Sequence, residues 1–191
     1  FFVLGTICGV CHLLPFDIAE TNISYYALCA LMFSVGLSVG NDPQTLKNFR
    51  SLNPRLVFLP IMTILGTLAG SAAVSLILTH RSITDCLAVG SGFGYYSLSS
   101  IFITEYKGAE LGTIALLANI SREILTLLAA PLLVRWFGNL APISAGGATT
   151  MDTTLPIITR TAGQQFVVVS IFHGFVVDFS VPFLVTLFCS I

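Results

Sequence analysis

The chain has 191 residues, of which 8 are Lys or Arg and 9 are Asp or Glu, and its formal net charge is -1. Charged residues make up 9% of the sequence and hydrophobic residues 55%, whereas a soluble domain carries about 25% charged residues. This composition excludes a soluble globular domain and a disordered chain, and the lack of a basic surplus excludes a nucleic-acid partner. We therefore predict an all-α integral membrane protein.

Seven hydrophobic stretches predict about seven membrane passes. A helix of roughly 20 residues spans the bilayer core, and continuous apolar runs favour helices over alternating strands. The gaps between the stretches are short, so residues 1–191 are predicted to form a single polytopic membrane domain. The stretches in chain order are Phe1–Phe16, Ser24–Asn41, Leu56–His80, Cys86–Thr104, Leu111–Val134, Trp136–Thr159 and Thr161–Ile191.

The first stretch contains a motif that could be mistaken for a cofactor site. Residues Cys8 to His12 match the C-x-x-C-H pattern of haem attachment, but they lie in an apolar run with no surrounding haem domain. Likewise, Gly92-Phe93-Gly94 lacks the third glycine and the βαβ context of a dinucleotide-binding loop. We predict no cofactor, no metal and no enzymatic activity.

The fourth stretch contains an unusual concentration of glycine and hydroxyl groups. Three glycines alternate from Gly90 to Gly94, and Tyr and Ser residues follow them. Glycine weakens helices, so we predict an interrupted helix. The alternative is close helix packing through small residues. The residues expected to line the interruption are Gly92, Gly94, Tyr96, Ser97 and Ser99.

The fifth stretch carries a charged pair, Arg122 and Glu123, with eleven uncharged residues on each side. Eleven residues span about 16 Å of helix, which places the pair near the bilayer midplane. Charges there are costly and usually functional, and neighbouring residues point about 100° apart, so each needs a separate partner. Asn119 extends the polar stripe. The alternative is a structural ion pair that holds helices together.

The sixth stretch contains Asp152 between a glycine pair and Pro156. Gly-rich and Pro-containing backbone at membrane depth is tolerated where it is buried in protein or lines a cavity. A pair of such interrupted stretches is a pointer to a transporter binding site. The alternative is a surface loop in which Asp152 caps a helix. The expected lining residues here are Thr149, Thr150 and Thr153.

The last stretch contains two further ionisable residues, His173 and Asp178. They lie roughly 140° apart around a helix, so we expect them to serve different faces. His173 is a candidate proton relay, and the simpler alternative is a hydrogen-bonded core histidine with Asp178 near a water-filled end.

These motifs, in this order and with this approximate spacing, resemble the LysO family of bacterial L-lysine exporters. The similarity extends across essentially the whole chain, and the combination is specific although each motif alone is weak. The segments that carry it are Ser91–Ser99, Arg122-Glu123, Gly147–Pro156, Arg160-Thr161 and His173–Phe175.

The resemblance implies export of L-lysine, and of its analogue thialysine, across the bacterial inner membrane. It implies that the acids at Glu123 and Asp152 are needed for transport. The family is grouped with cation/proton antiporters and bile-acid carriers, whose cores contain two crossing broken helices. Complete members carry a further N-terminal hydrophobic module, so a small membrane subunit or a homo-oligomer is an expected partner. Glu110 and Asp178 are not recognised family positions.

The resulting hypothesis is that lysine and protons compete for Glu123 and Asp152, with Arg122 pairing with an acid or with the lysine carboxylate. Na+ is the other candidate coupling ion. Two alternatives remain: a Na+/H+-type antiporter without an organic substrate, and a channel or assembly subunit in which the charged pair is only structural. An intramembrane aspartyl protease is disfavoured because its Gly-x-Gly-Asp pattern is missing.

Overall fold

The computed structural model describes residues 54–78 and 80–191, together with Phe33. The chain divides into the units Phe1–Asn41 and Asp42–Ile191, and the account below concerns the second. The described residues are helical, with turns between the helices and no strand among them. The predicted passes Phe1–Phe16 and Ser24–Asn41 lie outside the described residues, apart from Phe33.

Seven α-helices and two short 3-10 helices make up the described part of the second unit. Three of the α-helices are much longer than the four that the predicted interruptions delimit. The elements are α1 (Pro54–Ser75), α2 (Ile83–Gly90), α3 (Tyr96–Lys107), α4 (Ala109–Phe137), α5 (Ala141–Gly146), a 3-10 helix (Gly147–Met151), α6 (Leu155–Ala162), a second 3-10 helix (Gln164–Phe166) and α7 (Val167–Ser190).

Three helical spans in the described residues are long and apolar enough to cross a membrane. Large apolar side chains on all three remain exposed, among them Phe58, Leu128 and Phe183, as expected of lipid-facing surfaces. The all-α membrane class is therefore confirmed. The spans are Leu56–Ser75, Ala109–Phe137 and Gln164–Ser190.

The other two predicted passes in the described region each contain two short α-helices. In the fourth stretch, α2 ends at Gly90 and α3 begins at Tyr96; we call residues 91–95 the first linker. In the sixth stretch, α5 ends at Gly146 and α6 begins at Leu155; residues 147–154 are the second linker and contain the 3-10 helix. The total of seven passes stays a prediction.

The last helix, α7, packs against the second linker and against the helices that flank both linkers. It contacts the 3-10 helix of the second linker, α3, α2, α1 and α6. Ile143, Ile158 and Val169 form an apolar cluster that joins α5, α6 and α7. The buried face of α7 consists of Val169, Ser170, His173, Gly174, Val177, Asp178, Val181, Val185 and Cys189.

Candidate functional site

The two linkers contact each other directly through their backbones. The amide of Ala148 donates a hydrogen bond to the carbonyl oxygen of Phe93 at 2.9 Å. Gly147 adopts a φ of +65°, and a Cβ atom there would overlap that same carbonyl. Gly94 has a φ of +93°, and its Cβ would lie 3.1 Å from the oxygen of Gly146. Glycine at both positions therefore permits a backbone approach that a side chain would prevent.

Phe93 holds the first linker in a conformation that is rare for its residue type. Its φ is +46° and its side chain is fully buried. A bulky residue in the left-handed region costs on the order of 1–3 kcal/mol, and such residues persist where the surroundings impose the conformation. The carbonyl of Phe93 meets the second linker, so the strain lies at the contact between the linkers.

Asn119 on α4 binds the first linker with its amide group. Its Oδ1 accepts a hydrogen bond from the Gly94 amide at 2.8 Å, and its Nδ2 donates to the carbonyl of Val89 at 3.1 Å. The Nδ2 group also donates to the carbonyl of Ala115 at 2.9 Å. A Cβ on Gly92 would lie 2.5 Å from Nδ2. One uncharged side chain thus provides hydrogen-bond partners for backbone groups at the end of α2 and in the turn after it.

Arg122, about one helical turn later, binds the last turn of α5, directly before the second linker. Its Nε donates to the carbonyl of Ala145 at 2.8 Å, and Nη2 donates to the carbonyl of Ser144 at 3.1 Å. Nη1 lies 3.4 Å from the Thr67 hydroxyl, and the guanidinium carbon lies 5.9 Å from the centre of the Phe93 ring. A cation at the carbonyl end of α5 complements the helix dipole.

No carboxylate of the described residues forms an ion pair with Arg122; their ion pairs are Arg81 with Glu110 and Lys107 with Asp85. The expectation that Arg122 pairs with an acid therefore finds no support in this part of the chain. Its Nε and Nη2 groups donate to backbone carbonyls instead, because α5 ends beside the guanidinium group.

Glu123 follows Asn119 by about one helical turn on α4 and precedes the buried Thr126. It is half-buried, and its direction differs from that of Arg122 by about 100°. Asn119 and Arg122 contact the two linkers, and a Cβ on Gly146 would lie 3.6 Å from the Thr126 methyl. Glu123 therefore lies on the section of α4 that borders both linkers.

Asp152 lies in the second linker, directly after the 3-10 helix, and its side chain is exposed. Its Oδ1 accepts a hydrogen bond from the amide of Thr153 at 2.6 Å. The N-cap residue of α6 is Thr154, so Asp152 does not cap that helix. Most of its carboxylate is thus available to a ligand.

The hydroxyl residues expected to line the site fall into two groups. Ser99, Thr149 and Thr150 are buried and donate to backbone carbonyls. Ser97 is half-buried, whereas Tyr96 and Thr153 are exposed. The buried hydroxyls stabilise the linkers internally, and the others remain accessible.

His173 links three elements through both ring nitrogens. Nδ1 lies 3.2 Å from the Thr150 hydroxyl in the second linker, and Nε2 lies 2.9 Å from the Thr63 hydroxyl on α1. The ring is completely buried. This is the arrangement of a hydrogen-bonded core histidine, the simpler of the two roles considered, and a relay role stays a prediction.

Sequence reasoning left Asp178 out of the site, but the structure places it beside the second linker. Its side chain is 4% exposed, and Oδ1 has no hydrogen-bond partner in the described part of the chain. Asp152 and Tyr95 lie within electrostatic range of it. The available signal was its position four residues after Gly174, on the same helix face.

A cavity of about 1030 Å³ adjoins the site between α1, α2 and α4. Its described lining extends from His80 and Arg81, in the turn between α1 and α2, to Asn119 and Arg122. Small-molecule sites commonly have volumes of about 300–1000 Å³, so this cavity has room for an organic solute.

Comparisons with known proteins show which family the chain resembles. A family model described as "Lysine exporter LysO" matches residues 1–189. "Lysine exporter LysO" of Escherichia coli (strain K12) is 37% identical over 170 residues, covering 89% of this chain and 56% of that protein. "Putative lysine exporter" of Haemophilus influenzae (strain ATCC 51907 / DSM 11121 / KW20 / Rd) is 36% identical over 165 residues, covering 86% and 83%.

The chain thus spans little more than half of the E. coli relative and most of the H. influenzae relative. No solved structure matches the chain significantly. The family model nevertheless covers nearly every residue and includes both linkers, Arg122 and Glu123. The predicted resemblance is confirmed, and the family is one of transporters, not of enzymes: the chain belongs to the lysine exporter LysO family.

Proposed function

We propose that this chain forms the transport core of an L-lysine exporter in the bacterial inner membrane, and that it exchanges lysine for protons at Glu123 and Asp152. The observation that carries the proposal is the backbone contact between the two linkers, at Phe93 and Ala148. The names of the similar proteins supply the substrate. Thialysine, which differs from lysine by one sulfur atom, is a second expected substrate.

The linker contact supports transport because irregular backbone is costly inside a bilayer. Such backbone persists where it is buried in protein or lines a cavity, and paired interruptions mark the binding sites of secondary transporters. We infer that α2 with α3, and α5 with α6, are two broken transmembrane helices. Their crossing is similar to the core of cation/proton antiporters and bile-acid carriers.

The charges of the site match those of lysine. Lysine carries two ammonium groups and one carboxylate, while Glu123, Asp152 and Arg122 together carry a net charge of -1 when ionised. The two acids bind ammonium groups in one state and protons in the other, and this competition couples the two fluxes. Arg122 uses three of its five N–H donors on the described residues, which leaves two for the lysine carboxylate.

The cavity beside Asn119 and Arg122 provides a route to this site. It extends from Arg81, in the turn between α1 and α2, towards the middle of α4. In this proposal, Asn119 and Arg122 fix the linkers, and the exposed hydroxyls of Tyr96 and Thr153 help to solvate the moving ion. Where the exporter needs a second membrane subunit, that subunit would copurify with the chain.

Flux through membrane vesicles tests the proposal. Vesicles containing the full-length protein, with any copurifying subunit, are loaded with radiolabelled lysine, and efflux is followed under imposed pH or Na+ gradients. Glu123→Gln and Asp152→Asn should abolish proton-coupled efflux. Glu110→Gln is the matched control, because Glu110 lies on the same helix in an exposed ion pair with Arg81.

Each other result would contradict a stated part of the proposal. Wild-type rates and unchanged pH dependence in both variants would remove the acids from the mechanism. Proton or Na+ flux that is independent of lysine would indicate a cation antiporter without an organic substrate. Lysine leakage that ignores every gradient would indicate a channel. Failure of thialysine to compete would narrow the substrate range.

A further inference from the structure

Asp178 is a buried acid that the mechanism above does not use. It lies in the middle of α7 with 4% of its side chain exposed, and its Oδ1 has no hydrogen-bond partner among the described residues. Burying a carboxylate without a partner is costly, and ionisable groups at membrane depth usually serve a function.

The packing of α7 brings Asp178 to the end of the second linker that carries Asp152. The Thr150 hydroxyl donates to the carbonyl of Ser170 at 2.9 Å, and a Cβ on Gly174 would lie 2.7 Å from the amide nitrogen of Met151. Ser170, Gly174 and Asp178 are spaced four residues apart and share a face. Successive residues on this face of α7 meet successive residues of the second linker: Ser170 meets Thr150, and Gly174 meets Met151. Asp178 is the next residue on the face of α7 and Asp152 is the next residue in the linker, which agrees with the electrostatic proximity of the two acids.

The charged groups that the structure describes around α7 do not neutralise this pair. Among the described groups on the elements packed against α7, Asp152 and Tyr95 lie within electrostatic range of Asp178. Lys107 pairs with Asp85, and Arg122 is bound to backbone carbonyls. The other charged residues whose side chains are described on these elements, Glu105 and Arg160, are exposed, and His173 is bound to two hydroxyl groups.

Two neighbouring carboxylates repel each other when both are ionised, and a shared cation removes that repulsion. We propose that Asp178 and Asp152 form one binding site for a single monovalent cation: a proton in one transport state and a primary ammonium group of the substrate in the other. An ammonium group has three donors, which match the two carboxylates and the hydroxyl of Tyr95. The inference rests on the proposed function, and it assigns Asp178 as the partner of Asp152, a proton-binding acid of that proposal.

Chemical labelling of the wild-type protein tests the site without any substitution. Dicyclohexylcarbodiimide reacts with protonated carboxyl groups in apolar surroundings, and peptide mass spectrometry identifies the modified residue. We expect labelling at Asp178 or Asp152 that decreases when L-lysine is added and decreases as the pH rises. Labelling of neither acid, or labelling that lysine does not reduce while efflux is intact, would overturn the proposal.

Transport by variants supplies the second measurement. Asp178→Asn keeps the side-chain shape and should weaken lysine-driven proton exchange at least about tenfold, the effect of losing one charge-assisted hydrogen bond. Ser170→Ala is the control, because Ser170 Oγ is the other buried polar atom without a described partner and lies on the same face. It should transport like the wild type.

The two proposals fail in different ways. If Glu123→Gln abolishes lysine efflux while Asp178→Asn keeps the wild-type rate and pH profile, the cation site is wrong and the exporter proposal stands. If the wild-type protein moves no lysine, the exporter proposal itself is wrong. If Asp178→Asn does not accumulate in membranes, the labelling of the wild-type protein decides.

Discussion

The first and second linkers each connect two short helices in the same bundle, but the hydrogen-bonding groups of the two linkers have different kinds of partner. In the first linker, Ser91 to Gly94 are buried, and the neutral amide of Asn119 binds the backbone on both sides of the turn. In the second, the buried 3-10 helix follows carbonyls that the charged Arg122 binds, and it ends at the exposed Asp152.

The difference in partners distinguishes a linker with a structural role from a linker that offers charged groups to a ligand. A neutral side chain can satisfy a buried turn without leaving a net charge in the membrane, so the first linker needs no solute to complete it. Arg122 of α4 binds the backbone directly before the second linker. At the other end of the linker, Asp152 lies near Asp178 of α7. We infer that the first linker positions the second, and that the second binds the transported ion.

The largest effect is expected where both linkers meet. Gly147→Ala places a Cβ onto the Phe93 carbonyl at a positive φ, so it should destabilise the protein by at least about 4 kcal/mol, among the largest single-residue effects. Gly138→Ala is the control, since that glycine has a φ of +88° and open space around it, and strain alone costs about 1–3 kcal/mol. Thermal unfolding in detergent compares them; equal losses would mean that the linker contact contributes nothing.

The next largest effect should follow loss of the charge at the second linker. Arg122→Met leaves the carbonyls of Ser144 and Ala145 without their donors, at about 1–3 kcal/mol for each unsatisfied group. Arg122→Lys should recover part of the loss, because lysine keeps the positive charge but lacks the forked guanidinium group that donates to two carbonyls at once. The exposed Arg135→Met controls for removing an arginine from the same helix. An unfolding temperature equal to that of the control would contradict this role.

A smaller effect is expected at the first linker. Asn119→Asp keeps an acceptor for the Gly94 amide but loses the donor to Val89, whereas Asn119→Leu loses both. The aspartate variant should regain stability at low pH, where a protonated carboxyl can donate, and the leucine variant should lose about 1–3 kcal/mol at every pH. Unfolding followed between acidic and neutral pH measures this. Identical pH profiles for the two variants would show that the hydrogen bond donated to Val89 is unimportant.

The smallest effect concerns the relay role considered for His173. His173→Gln can still bond to a hydroxyl, so we expect a loss of about 1 kcal/mol in stability and an unchanged pH profile of transport. Thr63→Val removes the partner of Nε2 and should have a similar effect. A pH profile that shifts in the glutamine variant, but not in the valine variant, would instead establish a proton relay.

The sequence by itself determined the membrane class, the helical fold of the described region and the two glycine-rich segments at which short helices end, because hydropathy and Gly or Pro placement act locally. It also selected Asn119, Arg122 and Glu123, because polar groups stand out in a chain with 9% charged residues. The family followed from motif order.

Only the tertiary structure decided which groups meet. Nothing local predicts that Arg122 binds the carbonyl end of α5, that His173 bonds to Thr63, or that Asp178 lies near Asp152. These contacts join residues 23 to 110 positions apart. Their partners depend on helix packing, and packing direction is set by the glycines that let Phe93 and Ala148 touch. The sequence shows which side chains need partners, and the fold supplies them.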